Sequence, residues 1–163
     1  MFEQILVPLD RSLLAECVLP HALTVAQAVG ARLLLLHVVA RAGRQNGLRS
    51  VDPLEWHIRR AEAESYLQSV RERVLQAGVE AEIQVLDGDG AEQILAVAQE
   101  MERGLIVLSS HGQSGLSGWN ISSVVQKVIM GAHTSLLIVR AFQPGPAELA
   151  PLHYRRLLAP LDS

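Results

Sequence analysis

Five short apolar segments alternate along the chain with longer amphipathic ones. Four of the five are apolar at almost every position, which is typical of strands covered on both faces of a sheet. The remaining segment, AEIQVL, alternates apolar and polar residues and therefore indicates a half-exposed edge strand. The predicted strands span residues 5–9, 33–39, 81–86, 105–108 and 136–139.

The intervals between these strands have helical periodicity, and capping residues mark their ends. Ser12 is placed to cap the first helix and Gly30 to end it, and Pro20 is expected to kink it. The third helix follows Asp89, with Glu92 three residues later as in a capping box. The other two helices are predicted over residues 52–78 and from 124 to about 131.

Regular alternation of strands and helices predicts an α/β fold, an open doubly wound parallel sheet with helices on both faces. In such a sheet, ligands bind beyond the carboxyl ends of the strands, where the strand order reverses. If the first strand is central, two loops line that position. They read PLDRS at residues 8–12 and SSHGQSGLSGWNISS at residues 109–123.

Composition narrows the class of protein. The 163 residues fit one ordinary domain, and 49% hydrophobic against 19% charged residues argue against disorder. A net charge of −3 argues against a general nucleic-acid binder. Cys17 is alone, so it cannot form an internal disulfide, and we interpret it as a buried structural thiol. The start has no signal-peptide pattern and no apolar run reaches the ~20 residues of a membrane span, so a soluble cytoplasmic protein is expected.

The second loop is rich in glycine and serine and leads into a helix. Small residues let backbone N–H groups approach a phosphate, and the helix N-terminus adds partial positive charge. A loop of this composition is also often only a turn. It contains no Gly-Lys-Ser/Thr, and PLDRS contains no glycine, so neither a P-loop nor a Rossmann fingerprint is present.

Four stretches resemble the universal stress protein family: ILVPLDRS, LLLLHVV, GDGAEQIL and LIVLSSHGQSGLSGWNISSVVQKVIMGAHTSLLIVR. The resemblance runs from about residue 2 to 140. It implies a five-stranded parallel sheet in the order 3-2-1-4-5. The family has branches that bind ATP and branches that do not.

In the ATP-binding branch, the loop after strand four reads Gly, two residues, Gly, nine residues, then Gly and Ser or Thr. This chain keeps Gly112 but has Ser109 and Ser122 at the other two glycine positions. A Cβ at those positions is expected to hinder backbone approach to phosphates, or to be strained where φ is positive. A serine hydroxyl can instead donate to a phosphate or cap the helix. Both outcomes remain open.

By this resemblance Asp10 would accept a hydrogen bond from the base, although a turn acceptor is an equal alternative. The backbone of Val38 would contact the base, and His111 would shape the loop. Gln113 stands where the family often has a basic residue, so a charge-assisted phosphate contact is lost. The implied nucleotide-binding residues are Pro8, Leu9, Asp10, Val38, Ser109, His111, Gly112, Gln113, Gly115, Ser122 and Ser123.

The resemblance implies a regulatory domain that binds ATP or a related adenine nucleotide, with or without Mg²⁺. The alternative is a module of the same fold that binds no nucleotide and acts through dimerisation. No nucleophile triad, metal-ligand spacing or carboxylate cluster is evident, so the protein is not expected to be an enzyme beyond slow ATP hydrolysis. Strand five, within residues 136–141, is an apolar edge that the family pairs antiparallel, which predicts a homodimer or equivalent pairing with a second tandem domain.

The end of the chain repeats its beginning. YRRLLAPLD at residues 154–162 aligns without a gap under FEQILVPLD at residues 2–10. Chance similarity of short apolar strands is the alternative to an internal repeat. We therefore expect one universal stress protein domain over 1–141, a proline-rich linker over 142–153, and the first strand of a truncated second domain over 154–163.

Overall fold

The structure, a computed structural model, describes residues 1–40, 53–111, 122–141 and 149–160. Five strands form one parallel sheet in the order β3-β2-β1-β4-β5. This confirms the predicted fold class and strand order. The strands are β1 Gln4–Pro8, β2 Arg32–Val39, β3 Ala81–Asp87, β4 Gly104–Ser109 and β5 Ser135–Val139.

Four α-helices connect the strands: α1 Leu19–Val29, α2 Pro53–Gln76, α3 Gly90–Gln99 and α4 Ser123–Gly131. The prediction that Pro20 kinks a long first helix is wrong. A separate 3₁₀ helix, Ala15–Val18, precedes α1, and Pro20 lies in the first turn of α1, where its missing N–H costs nothing. Gly30 ends α1 in the left-handed conformation, at φ +70°.

The sheet separates two apolar cores because neighbouring side chains of a strand point to opposite faces. In β1, Ile5 and Val7 face α1 and α2, whereas Leu6 faces α3 and α4. Helix α2 contributes four fully buried residues to the first core: Ala63, Leu67, Val70 and Val74. β3 lies at one edge of the sheet and is partly exposed along its length, as its alternating pattern predicts.

Cys17 is half-buried and packs against the first core. Burial raises the pKa of its thiol, and a hydrogen bond with Ser109 opposes that shift. The thiol is therefore protonated at neutral pH. The sequence predicts a buried thiol, whereas Cys17 is half-buried.

The described part of the C-terminal segment, residues 149–160, forms no helix or strand. Its first residues lie on α1: Leu152 N donates to Thr24 Oγ1 at 2.6 Å, and Tyr154 Oη lies 2.7 Å from His21 Nδ1. Leu157 and Leu158 are 88% and 95% exposed. A first strand without the rest of its sheet has no partner for its backbone groups, so the absence of a strand here does not test the repeat. The assignment of 154–163 to a second domain stays a prediction.

Candidate functional site

A cavity of about 360 Å³ opens beyond the carboxyl ends of β1, β2 and β4. β1 and β4 are neighbours in the sheet, and the chain leaves them towards opposite sides. The cavity therefore lies at the point where the strand order reverses, which is where doubly wound folds bind their ligands.

One wall of the cavity is apolar. Strand β2 supplies Leu36 and Val38, β4 supplies Leu108, and α3 supplies Ile94. Such a wall suits a flat, poorly hydrated group such as a nucleobase, which would be removed from water on binding.

The loop after β1 forms a second wall. Asp10 Oδ1 accepts a hydrogen bond from Ser12 N at 3.0 Å, and Arg11 between them has φ +70°. Ser12 Oγ accepts from the N–H of Ala15, the first residue of the 3₁₀ helix, at 3.0 Å. The prediction that Ser12 caps the first helix is wrong, because the N-cap position of α1 is Val18. Asp10 thus has the turn-acceptor role considered from sequence, and it also lines the cavity.

Ser109 and His111 form a tight turn at the end of β4. The Ser109 hydroxyl donates to the His111 carbonyl oxygen and accepts from His111 N at 3.2 Å. Both residues are buried, at 7% and 8% exposed. Among the described non-glycine residues only Arg11 has positive φ, so the strain expected of serine at position 109 is absent.

Ser122 begins the opposite wall as the N-cap of α4. Its hydroxyl accepts from Val125 N at 3.3 Å, and its backbone is extended at φ −59°. Serine therefore needs no left-handed conformation at this position either. Ser123, Val124 and Val125, the first turn of α4, also line the cavity, so the partial positive charge of this helix end lies beside it.

A charged pair lies beside this wall. Asp89 caps α3 by accepting from Ala91 N and Glu92 N at 3.0 and 3.1 Å, and its Oδ2 lies 3.1 Å from Lys127 Nζ. The N–H of Glu92 first, and then Lys127, lower the pKa of Asp89. The carboxylate is therefore ionised at neutral pH. Its neighbours Gly88 and Gly90 line the cavity.

Eight of the eleven residues implied by the family resemblance line this one cavity: Pro8, Leu9, Asp10, Val38, Ser109, His111, Ser122 and Ser123. The other three, Gly112, Gln113 and Gly115, lie outside the described residues. Sequence reasoning missed several apolar lining residues and both glycines beside Asp89. The GDG stretch at 88–90 was a usable signal, since it follows a strand and opens a helix.

Two negative findings apply to the described ranges. No group of three or more His, Cys, Asp or Glu residues is arranged there to hold a metal ion. None of the helices in those ranges combines the length and the apolar character needed to cross a membrane.

Fold and cavity together define a doubly wound α/β protein with a ligand cavity at its strand-order reversal. The chain belongs to the universal stress protein family. The family's sequence profile matches residues 1–140. Universal stress protein YxiE of Bacillus subtilis is 31% identical over 149 residues, which cover 86% of this chain and all of that protein.

Solved structures agree on the fold. A universal stress protein in complex with cAMP matches with a TM-score of 0.65 at 21% identity, over 86% of this chain and 98% of that one. The universal stress protein from Archaeoglobus fulgidus in complex with dAMP matches with a TM-score of 0.60 at 20% identity, over 85% and 97% of the two chains.

Proposed function

We propose that this protein binds an adenine nucleotide, ATP or a related one, in the cavity between β1 and β4, and that binding serves a regulatory role in a stress response. One observation carries the proposal. The described residues that the family resemblance implies for the site all line the same cavity, at the position where this fold class binds ligands.

Backbone strain at the two serines in glycine positions does not count against binding. Neither has positive φ, and each hydroxyl is used within the protein, Ser109 in its turn and Ser122 as a helix cap. The Cβ atoms therefore sit in ordinary backbone conformations, and the first turn of α4 remains beside the cavity. Further support comes from the two solved neighbours, whose ligands, cAMP and dAMP, are adenine nucleotides.

Binding without efficient turnover is the activity proposed. Asp10 is the one carboxylate among the described lining residues, and it already accepts a hydrogen bond from Ser12 N. Hydrolysis needs a base that positions water, and Mg²⁺ usually needs carboxylates beside the phosphates. Any Mg²⁺ would therefore be held mainly by the nucleotide, and hydrolysis would be slow. We place this activity in the cytoplasm.

The second candidate is an interaction module that binds no nucleotide. It is favoured by the edge strand β5, where Ile138 is 38% exposed, and by Met130 in the preceding helix, 87% exposed. An apolar open edge invites pairing with another strand. We propose homodimerisation, or the equivalent contact with a second domain, through this edge in either case.

Blocking the cavity tests the nucleotide proposal. Ala40 is exposed and lines the cavity, so Ala40→Trp would fill the entrance without disturbing a core. We expect wild type to bind adenine nucleotides in calorimetric titration and this variant to bind at least about tenfold more weakly. Ala28→Trp, at an exposed position of α1, is the matched control and should bind normally. Equal binding by wild type and Ala40→Trp would refute the site.

A further inference from the structure

We propose that the cavity prefers an adenine nucleotide with a single phosphate, such as AMP, to the triphosphate; this inference rests on the proposed function. The reason is the distribution of charge around the cavity. Positively polarised groups beside the cavity offset the charge of one phosphate. The described lining residues include no cation that would offset the further charges of a triphosphate.

Cations are missing from the described lining. Asp10 is its one acidic side chain, and no lysine or arginine is among its members. The segment between Ser109 and Ser122 adds none, since residues 112–121 read GQSGLSGWNI. Phosphates in binding sites are commonly held by Arg or Lys through charge-assisted hydrogen bonds, and each further phosphate of a triphosphate adds negative charge that no such side chain offsets among the described lining residues.

Lys127 in α4 is held away from this role. Its ammonium lies 3.1 Å from Asp89 Oδ2, and that carboxylate also accepts two backbone N–H groups of α3. The N–H groups and the lysine both stabilise the ionised form of Asp89, so Asp89 is charged at neutral pH and attracts Lys127. Asp89 also places a negative charge next to Gly88 and Gly90, which line the cavity.

Two groups beside the cavity offset the negative charge of one phosphate. The N-terminus of the nine-residue helix α4 lines the cavity and supplies about half a positive charge. His111 supplies a donor. Ser110 Oγ accepts from Ala141 N at 3.2 Å, so its own hydrogen is available to His111 Nδ1 at 2.9 Å.

With the Ser110 hydrogen directed at Nδ1, the hydrogen of the imidazole lies on Nε2. This atom is buried and has no hydrogen-bond partner among the described residues, in a side chain that lines the cavity and is 8% exposed. A buried N–H without a partner is costly unless a ligand satisfies it. A phosphate oxygen is the acceptor that such a donor, beside a helix N-terminus, would bind.

Titration with adenosine, AMP, ADP and ATP at one ionic strength and without Mg²⁺ tests the inference. We expect affinity to rise from adenosine to AMP and to fall from AMP to ATP by about tenfold or more. ATP binding as tight as AMP or tighter would overturn it. If ATP does bind as tightly as AMP, a variant with Arg41, Arg44 and Arg49 all changed to Ala tests where the positive charge comes from. Weaker ATP binding by that variant would assign the charge to residues 41–52. Failure of all four compounds to bind would refute the proposed function itself.

Asp89→Asn gives a second test, because asparagine keeps the helix cap but removes the charge that holds Lys127. We expect ATP affinity to rise more than AMP affinity, so that the ratio of the two dissociation constants narrows. An unchanged ratio would overturn the charge argument. Glu3→Gln is the matched control, since Glu3 is paired with Arg103 at 2.8 Å and neither residue lines the cavity; its ratio should equal that of wild type.

Discussion

His37 Nδ1 donates a hydrogen bond to the carbonyl oxygen of Leu9, with 2.7 Å between the two atoms. His37 lies in β2 and is 8% exposed, and Leu9 is the first residue after β1. The imidazole therefore fixes the loop that carries Asp10 into the cavity. The hydrogen bond gives this buried histidine a structural role.

Replacing His37 should change how stability depends on pH. Burial, above all, lowers the pKa of His37 from its ordinary value; the hydrogen bond to Leu9 opposes this shift, Arg11 adds to it and the charge of Asp10 opposes it. The folded state then binds the proton more weakly than the unfolded state, so stability is full above about pH 6.5 and falls as the pH drops below it, by at most about 1.4 kcal/mol per pH unit.

Urea unfolding of wild type and His37→Gln between pH 7.5 and 5 measures this effect. The variant should be less stable at pH 7.5, and its stability should fall less steeply towards pH 5. His133→Gln, at an exposed position, controls for the loss of a histidine and should keep the wild-type slope. An unchanged slope in His37→Gln would contradict the account.

A buried ion pair should contribute more to stability than the exposed pairs. Glu16 is 6% exposed, and its carboxylate accepts from Arg73 Nη1 at 2.7 Å and from the Tyr66 hydroxyl at 3.1 Å. Glu16→Ala removes both contacts and should lower the free energy of unfolding by about 2 to 3 kcal/mol.

The matched change Glu3→Ala removes an exposed pair with Arg103 and should cost less than about 1 kcal/mol. Both variants are measured by urea unfolding at pH 7. An equal loss of unfolding free energy in the two variants would show that burial does not make the Glu16 pair more stabilising than an exposed pair.

Most of the fold could be predicted from the sequence because strands covered on both faces leave a nearly continuous apolar pattern. The five predicted strands lie within about one residue of the observed ones. Pro20 was misjudged because helical periodicity continues through residues 14–18, where the chain forms a 3₁₀ helix. Periodicity alone does not separate that helix from a first turn of α1.

The polar contacts of the site could be predicted less well, since they depend on distances between remote residues. The Asp89–Lys127 pair beside the site joins positions 38 apart. At Ser109, the sequence left open whether the hydroxyl would obstruct or assist. The structure shows it turned back onto His111, a geometry that follows from the local backbone and not from residue type.

Dimerisation through β5 is testable by one charge at the edge. Ile138 in β5 is 38% exposed, and lysine there would place a charge in the proposed strand pair. Light scattering at micromolar concentration should give wild type twice the chain mass of 17.7 kDa and Ile138→Lys the single mass. Ile58→Lys, at a position of α2 that is 50% exposed, should remain dimeric. A monomeric wild type would contradict the proposal.

The most direct test of nucleotide binding is to identify what the protein itself carries. Freshly purified wild type and Ala40→Trp are denatured, and the released small molecules are separated and identified by mass spectrometry. The account predicts that an adenine nucleotide is recovered from wild type in near-stoichiometric amount and is strongly reduced in the variant. An empty extract from wild type, together with no thermal shift in millimolar AMP or ATP, would contradict it.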